Sequence, residues 1–552
     1  MIKPLKAKAF SSPIGKRTET LLAQARGLVG NDKLLEACDI YNSVLDVDSK
    51  CLEALHILGS LELHFKHYAA ALDLLNRAVS LQPQNLQLQL LLGKCAKQLK
   101  NYDFAEKCFN QALAIDATLV EALVELGMLH FLRGELDLSS EYLTKALGLN
   151  TKYYDAWNNL GIVNKEKGDF SQSLHCYSQA VAVDPNSPDA FANRGVLFHM
   201  LGRYQEALLD LNRAVELSPQ TPASHVSRGQ LLLTLGEFSQ GWSEFEWRWH
   251  YLRDNQINTS RYHDFPLWSG TESLIGKTIL IYAEQGLGDT LQFCRYVNLV
   301  AQLGARVMLE CEAPLFELFR SIEGVEHLFI QGGEQLKVYP TPIFDFQCPL
   351  MSLPMVFRTT LDTIPNNVPY LKASTRKIED WRIRLGQKTR PRVGIVWSGG
   401  FRPGQPELWT VNRRRNISLS SLKSFAGVPV DFISLQKGVQ AEAELTALVA
   451  ANWGGPPITD YTQYLNDFSD TAALIANLDL VISVDTSTAH LSAALGKPTW
   501  ILNRFDTCWR WLLNRSDSPW YPSVKLYRQP ELGRWEGVIE EVRANLLQIY
   551  CN

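Results

Sequence analysis

Six glycines, Gly59, Gly93, Gly127, Gly161, Gly195 and Gly229, recur every 34 residues without a slip. A period of that length marks one supersecondary unit repeated and stacked, because a single unit cannot bury its own apolar face. Leucines precede the first four glycines, and small residues stand twelve positions after them (Ala71, Ala105, Ser139, Ser173, Ala207, Gly241). Alanines follow seven positions further on, from Ala78 to Ala214, and Pro83, Pro185 and Pro219 close three units. Antiparallel helices approach closely where both side chains at the crossing are small. The glycine and the small residue twelve later are therefore expected to form the crossing, with Phe109, Trp157 and Tyr177 filling gaps between neighbouring units.

This is the tetratricopeptide pattern, a helix–turn–helix repeated every 34 residues. An α-solenoid of six to seven repeats is expected over residues 18–255, the last one degenerate and ending in GWSEFEWRWHY as a cap. Such an array is either a scaffold or a concave groove for a protein or peptide, and the groove is mildly favoured. Asn159 and Asn193 occupy equivalent positions in successive repeats, and an amide there can both donate to and accept from an extended peptide backbone. Ile57, Leu91 and Glu125 hold that place elsewhere, so any asparagine ladder is short.

Past Trp268 the helical rhythm gives way to alternating strand-like and helical runs. TILIYA (278–283) leads into a glycine loop and a helix from about Asp289 to Leu303, and ARVMLEC (305–311) into another helix. A polar hinge around 372–391 precedes a second series, with RVGIVW (392–397), VDFISLQ (430–436), LDLVISVD (478–485) and PTWILN (498–503). Alternation of this kind implies parallel sheets with helices on both faces. The expected order is a linker at 256–274, a Rossmann-like half at 275–375, a second at 390–530 and a C-terminal helix at 531–552. Ligands in such sheets bind beyond the carboxyl ends of the strands.

Charge and composition narrow the function. The 552 residues carry 58 Asp plus Glu against 54 Lys plus Arg, a net charge of −4, which leaves no overall footprint for nucleic acid. No run approaches the ~18 apolar residues of a membrane span. The first residues are basic but have no apolar stretch behind them, so a cytoplasmic location is the expectation. The 10 cysteines form no C-x-x-C pair and are expected to be reduced. His64 and His67 have no third ligand nearby, and the one D-x-D motif, Asp46-Val47-Asp48, lies in the repeats, so no metal site is expected.

Three tempting motifs fail. Gly270 to Thr278 has five residues between its glycines where a P-loop has four, and it precedes its strand. Gly286-Leu287-Gly288 carries Leu291 where a dinucleotide fingerprint needs its third glycine, and no G-x-S-x-G occurs. Three strand ends remain. At 284–290, Gly286 and Gly288 allow a tight turn and close substrate approach, and Asp289 is either an N-cap or a group facing the cleft. At 483–490, Asp485 ends a strand, and free N–H groups near Thr486 and Ser487 suit a phosphate; a plain hydroxyl cap with His490 packed behind it is the alternative. At 397–400, Trp397, Ser398 and Gly399 precede a loop in which Arg413, Arg414 and Arg415 are either a solvated charge run or cations for a diphosphate.

Taken together, AEQGLGDTLQFCRY, IVWSGG, NRRRNISL, SLQKG, FSDTAALIANLDLVISVDTSTAHLSAALGKPTW and WRWLLNRSDSPWYPSVKLYRQ resemble bacterial tetratricopeptide-repeat glycosyltransferases with a heptosyltransferase-like catalytic half of GT-B fold. The design is also similar to O-GlcNAc transferase. The resemblance implies Asp289 as general base toward the acceptor, with Gly286 and Gly288 beside it. It implies donor binding by Asp485, Thr486, Ser487, Thr488 and His490, and diphosphate contacts from Arg414, Arg415 and, more weakly, Lys437. Relatives commonly carry W-A-G-N where this chain has TrpSerGlyGly and the insert FRPGQPELWTVN, which leaves the sugar open. Some relatives glycosylate flagellin, so the expected reaction moves a sugar from a nucleotide-sugar co-substrate, without a cofactor, to Ser or Thr of flagellin or another protein acceptor. A lipopolysaccharide or lipid-linked acceptor, and a non-catalytic adaptor, stand as alternatives.

Overall fold

The structure, a computed structural model, describes residues 13–254, 262, 265–332, 344–400 and 409–551. Most of the insert after TrpSerGlyGly, and part of the expected linker, lie outside these residues. The chain divides into two compact units, residues 1–193 and 194–552.

The first unit is a stack of antiparallel helix pairs, among them Leu52–His64 with Tyr68–Leu81, Leu86–Gln98 with Tyr102–Ile115, Val120–Leu132 with Leu136–Leu149, and Tyr154–Lys167 with Phe170–Val183. The repeat glycines do meet the residue twelve later at the helix crossing, where a Cβ would lie 3.3 Å from the Ser139 carbonyl at Gly127 and 3.2 Å from the Ala207 carbonyl at Gly195, but a larger residue fills the rest of the space. Beside five of the six the space is filled by a large residue sixteen positions later in the same repeat: a Cβ would lie 2.8 Å from Leu75 at Gly59, 2.5 Å from Phe109 at Gly93 and 2.5 Å from Tyr177 at Gly161, whereas Gly229 meets the backbone of Glu244 and Phe245. Phe109 and Tyr177 therefore pack within their own repeats, where a ring is too large for any neighbour but glycine. The small residue twelve later does reach the crossing, as Ser173 Oγ donates to the Gly161 carbonyl at 2.7 Å. The Asn193 amide donates to Asn158 of the preceding repeat at 2.9 Å, and Asn159 is half-buried.

The second unit begins with the remaining repeat helices, including Tyr204–Leu217, Pro222–Leu235 and Phe238–Phe245, and a short helix Arg248–Asp254. Two parallel sheets follow. The first contains β1 (Thr278–Tyr282), β2 (Arg306–Cys311), β3 (Val325–Ile330) and β4 (Phe346–Pro349) in the order β3-β2-β1-β4. The second contains β5 (Arg392–Val396), β6 (Asp431–Ser434), β7 (Ile458–Asp460), β8 (Leu480–Val484), β9 (Thr499–Asn503) and β10 (Val524–Arg528) in the order β10-β9-β8-β5-β6-β7. All pairings within both sheets are parallel. Strands β1, β5, β8 and β9 are buried along their whole length, as strands covered on both faces must be. These are Rossmann-like arrangements, in which chain order reverses between β1 and β4 and between β5 and β8.

Two expectations need correction. The helix drawn from Asp289 to Leu303 begins at Leu287 and is broken: Leu287–Phe293, a tight turn at Cys294–Tyr296, then Val297–Gln302. In that turn Arg295 is buried, its Nε donating to the Gln292 carbonyl at 2.8 Å and its Nη1 to the Trp520 carbonyl at 2.6 Å. The polar stretch at 372–391 contains a helix, Thr375–Leu385, which buries Trp381 and leaves its charged face in solvent. The cysteines are all unpaired. Among the described residues, no helix is long and apolar enough to cross a membrane, and no cluster of metal-ligating side chains occurs.

Candidate functional site

The exits of β1, β5 and β8 open on one cleft of about 400 Å³. Its first wall is the loop Gly286–Asp289. The second combines Gly399 and Gly400 after β5, Asp485–Ser487 after β8, and Arg415. These are the strands at which chain order reverses, where an open α/β sheet presents its ligand crevice.

On the first wall the tight turn falls at Gln285, whose φ is +62°, whereas Gly286 is extended with a φ of −117°. Gly286 is thus not needed for the turn. Gly288 has a different reason to lack a side chain: a Cβ there would lie 3.2 Å from the His490 ring and 3.6 Å from Ser487 Cα. Asp289 is the third residue of its helix and does cap it, accepting from the Gly286 N–H at 3.0 Å. Its other oxygen faces the second wall, where Arg510 Nη2 donates to it. Arg510 Nε donates to Gln292 Oε1 at 2.7 Å, so one guanidinium grips two turns of this helix. Burial works against the Arg510 charge, but the Asp289 carboxylate, Cys508 and Asp485 together more than offset it, so the guanidinium stays protonated.

On the second wall, Thr486 precedes the helix Ser487–Ala494, and its hydroxyl bonds Ser483 Oγ at 3.0 Å. Thr486 and Ser487, at the start of that helix, line the cleft, and a helix start is where free backbone N–H groups suit an anion. Arg415 Nη1 donates to the Asp485 carbonyl at 3.1 Å and Nη2 to Asn412 Oδ1 at 2.5 Å. This guanidinium lies across Gly399, where a Cβ would come within 1.9 Å of Nη2. His490 is buried, with Nδ1 2.9 Å from the Tyr521 hydroxyl and Nε2 3.9 Å from Asp485 Oδ1. Burial pushes its pKa down to about 3, so the ring is neutral at pH 7 and is not a cation for phosphate.

The structure thus brings together Asp289, Gly286, Gly288, Gly399, Arg415, Asp485, Thr486, Ser487 and His490. Five other candidates of this half stand apart from the lining. Trp397 is fully buried beneath the second sheet with its indole N–H on Glu444 at 2.9 Å. Ser398 has its N–H held by Gln436 at 2.9 Å. Arg414 pairs with Asp506 at 2.9 Å, and Lys437 Nζ donates to the Thr462 carbonyl at 3.0 Å. Thr488 is on the helix but not in the lining. Asn159 and Asn193 lie in the other unit. Arg504, Asn412 and Arg510 also line the cleft. No local pattern singles them out, although Arg510 lies within the WRWLLNR segment.

Known proteins match both parts of the chain. Residues 22–86 and 158–222, 62–126, and 120–153 match tetratricopeptide-repeat profiles. Residues 466–502, which contain β8 and the helix at the cleft, match glycosyltransferase family 9 (heptosyltransferase). Protein FlbA of Caulobacter vibrioides is 28% identical over 300 residues, covering 50% of this chain and 48% of its own; the chain spans about half the length of this curated relative. Among solved structures, a tetratricopeptide-repeat protein from Parabacteroides merdae is 18% identical with a TM-score of 0.38, covering 45% of this chain and 95% of its own. MamA from Desulfovibrio magneticus is 16% identical with a TM-score of 0.30, covering 31% and 97%. The chain joins an N-terminal tetratricopeptide-repeat array to an α/β half that is heptosyltransferase-like.

Proposed function

We propose that this chain is a metal-independent glycosyltransferase of GT-B type that moves a sugar from a nucleotide-sugar donor to a Ser or Thr hydroxyl of a protein held by the repeats, with flagellin the first candidate. The observation that carries this reading is the meeting of two strand-reversal points at one cleft, with Asp289 on one wall and the Asp485–Ser487 helix start on the other. The donor diphosphate lies against the N–H groups at Ser487 and the Arg415 guanidinium, which stabilise the charge that grows on the leaving phosphate. Asp485 accepts from sugar hydroxyls. Asp289 takes the acceptor proton as the new glycosidic bond forms and the bond from the anomeric carbon to phosphate breaks. The cations and dipoles of the second wall do the work a metal would do, and transfer is expected to persist in excess EDTA.

Titration of nucleoside diphosphates and their sugars into the full chain tests the donor site. One nucleotide is expected to bind, and Asp485→Ala is expected to weaken its sugar conjugate by roughly ten- to hundredfold, since hydrogen bonds to a charged group are worth about 1.5–3 kcal/mol. Equal affinity of both proteins for the conjugate would remove Asp485 from the site.

A further inference from the structure

Behind the acceptor wall lies a buried ion cluster that neither the repeats nor the cleft chemistry accounts for. Arg248, in the short helix after the last repeat, is 3% exposed and gives two parallel bonds to Glu284, from Nε at 2.9 Å and Nη2 at 2.8 Å. Glu284 follows the end of β1. Its Oε1 also accepts from the Met351 N–H at 3.1 Å, on the segment after β4. Ser352 closes the ring, accepting from Arg248 Nη2 and donating to Glu246, both at 2.8 Å. Arg248 Nη1 donates to Glu246 at 2.5 Å. One guanidinium therefore ties the end of the repeat array to the exits of β1 and β4, the two strands that flank the reversal point of the first sheet.

We infer that Arg248 is a positioning residue for the acceptor loop, setting Asp289 through Glu284; this rests on the transferase reading of the cleft. The chain between Glu284 and Asp289 is short and conformationally costly. Gln285 takes a left-handed φ of +62° without being glycine, and the Gly286 N–H is held by Asp289 itself. A loop in a sparsely populated conformation keeps it only when both ends are fixed. Asp289 and its helix fix one end, and Arg248 through Glu284 fixes the other. A purely structural contact at this depth would be served as well by apolar side chains, because desolvation of a buried ion pair consumes most of its attraction. A planar, two-pronged guanidinium supplies orientation, which a point charge does not. The last repeat reinforces the arrangement. Trp242 Nε1 donates to the Thr359 carbonyl at 3.0 Å, and its ring lies edge-on to Trp509, the residue before Arg510. The end of the repeat array thereby touches the chain next to both Gln285 and Arg510.

The test uses the full chain carrying Arg248→Lys, which keeps the charge and loses the two-pronged geometry. Amide hydrogen exchange is measured alongside donor affinity, melting temperature and transfer kcat. Exchange at residues 285–289 is expected to rise at least tenfold while residues 483–490 stay unchanged and the donor Kd stays within twofold. A displacement near 1 Å costs on the order of 10²-fold in rate, so kcat is expected to fall by roughly 10- to 100-fold. Unchanged exchange at 285–289, or an equal loss at 483–490, overturns the inference, the second by marking a general loss of structure. If wild-type protein transfers no sugar, the transferase reading fails, while the exchange comparison still decides what Arg248 does to the loop. The double variant Arg248→Gln, Glu284→Gln guards against simple charge imbalance. It is expected to keep the fold and leave the loop fast-exchanging, and slow wild-type exchange in it would overturn the inference.

Discussion

The Arg510 guanidinium, which enters the cleft from the second sheet, is ion-paired with the Asp289 carboxylate on the first. These residues are 221 positions apart in the chain. Each oxygen of Asp289 accepts one bond, from Arg510 or from the Gly286 N–H, and each retains a lone pair for an acceptor hydroxyl. A carboxylate so held is oriented from two sides. It suits a reaction in which the proton leaves late, as the oxygen attacks.

The pairing changes what an Asp289→Asn variant should do to stability. A plain N-cap would lose about 1 kcal/mol or less on this exchange. Here the buried Arg510 loses its counter-ion, and breaking a buried pair costs about 3–5 kcal/mol; Asp289 is 20% exposed, so about 2–3 kcal/mol is expected by denaturant unfolding. Adding Arg510→Gln should recover part of it, because the two sites share one interaction. A loss under about 0.5 kcal/mol would mean that the pair does not hold the two walls together.

Gly399→Ala isolates the phosphate-facing arginine. The new methyl would occupy the place of the Arg415 Nη2, 1.9 Å away, and the flexible guanidinium must leave the Asp485 carbonyl. Stability should change little, a melting shift of about 2–4 °C at most. Nucleoside diphosphate affinity should fall about tenfold, the value of one charged hydrogen bond. Undiminished affinity by calorimetry would show that Arg415 does not meet the diphosphate.

His490 gives a pH dependence. Burial holds its pKa at about 3 in the folded chain, against about 6.5 when unfolded. Between those values the unfolded chain binds a proton that the folded chain refuses, so stability falls as pH drops below about 6.5, by up to about 1.4 kcal/mol per unit. His490→Gln removes this contribution. Urea unfolding at pH 7.5 and pH 5 should show the wild type losing about 1–2 kcal/mol more than the variant. Equal losses would contradict a buried neutral ring.

The strands legible in the sequence were those with neighbours on both sides. β1, β2, β5, β6, β8 and β9 read as apolar runs because they are interior, whereas β3, β4, β7 and β10 are the four sheet edges. Edge strands are short or polar by design against aggregation; VEHLFI exposes Glu326 and His327, and ITD is three residues long. The repeats were legible from their period, but the residue that fills the space beside five of the six glycines was not, since nothing local distinguishes position sixteen from position twelve. At the cleft, Asp289 and Asp485–Ser487 announced themselves as strand exits. Arg510 did not, because its meaning comes only from the distant carboxylate it meets. Trp397 and Arg414 lay in the right segment, but the pleat and the Asp506 partner turn them away from the cleft.

The most direct measurement is the intact mass of candidate acceptor proteins, flagellin first, co-expressed with the wild-type chain, with Asp289→Asn, or with neither. Near-equal soluble levels of the two chains must be shown alongside. The expected result is a mass increment of one or more glycosyl residues with wild type, with the modified fraction lowered in step with a roughly 10²–10⁴-fold loss of transfer in the variant. Identical acceptor masses with the wild-type chain and with none, across the acceptors and donors of the native cell, would contradict transfer to protein at this cleft.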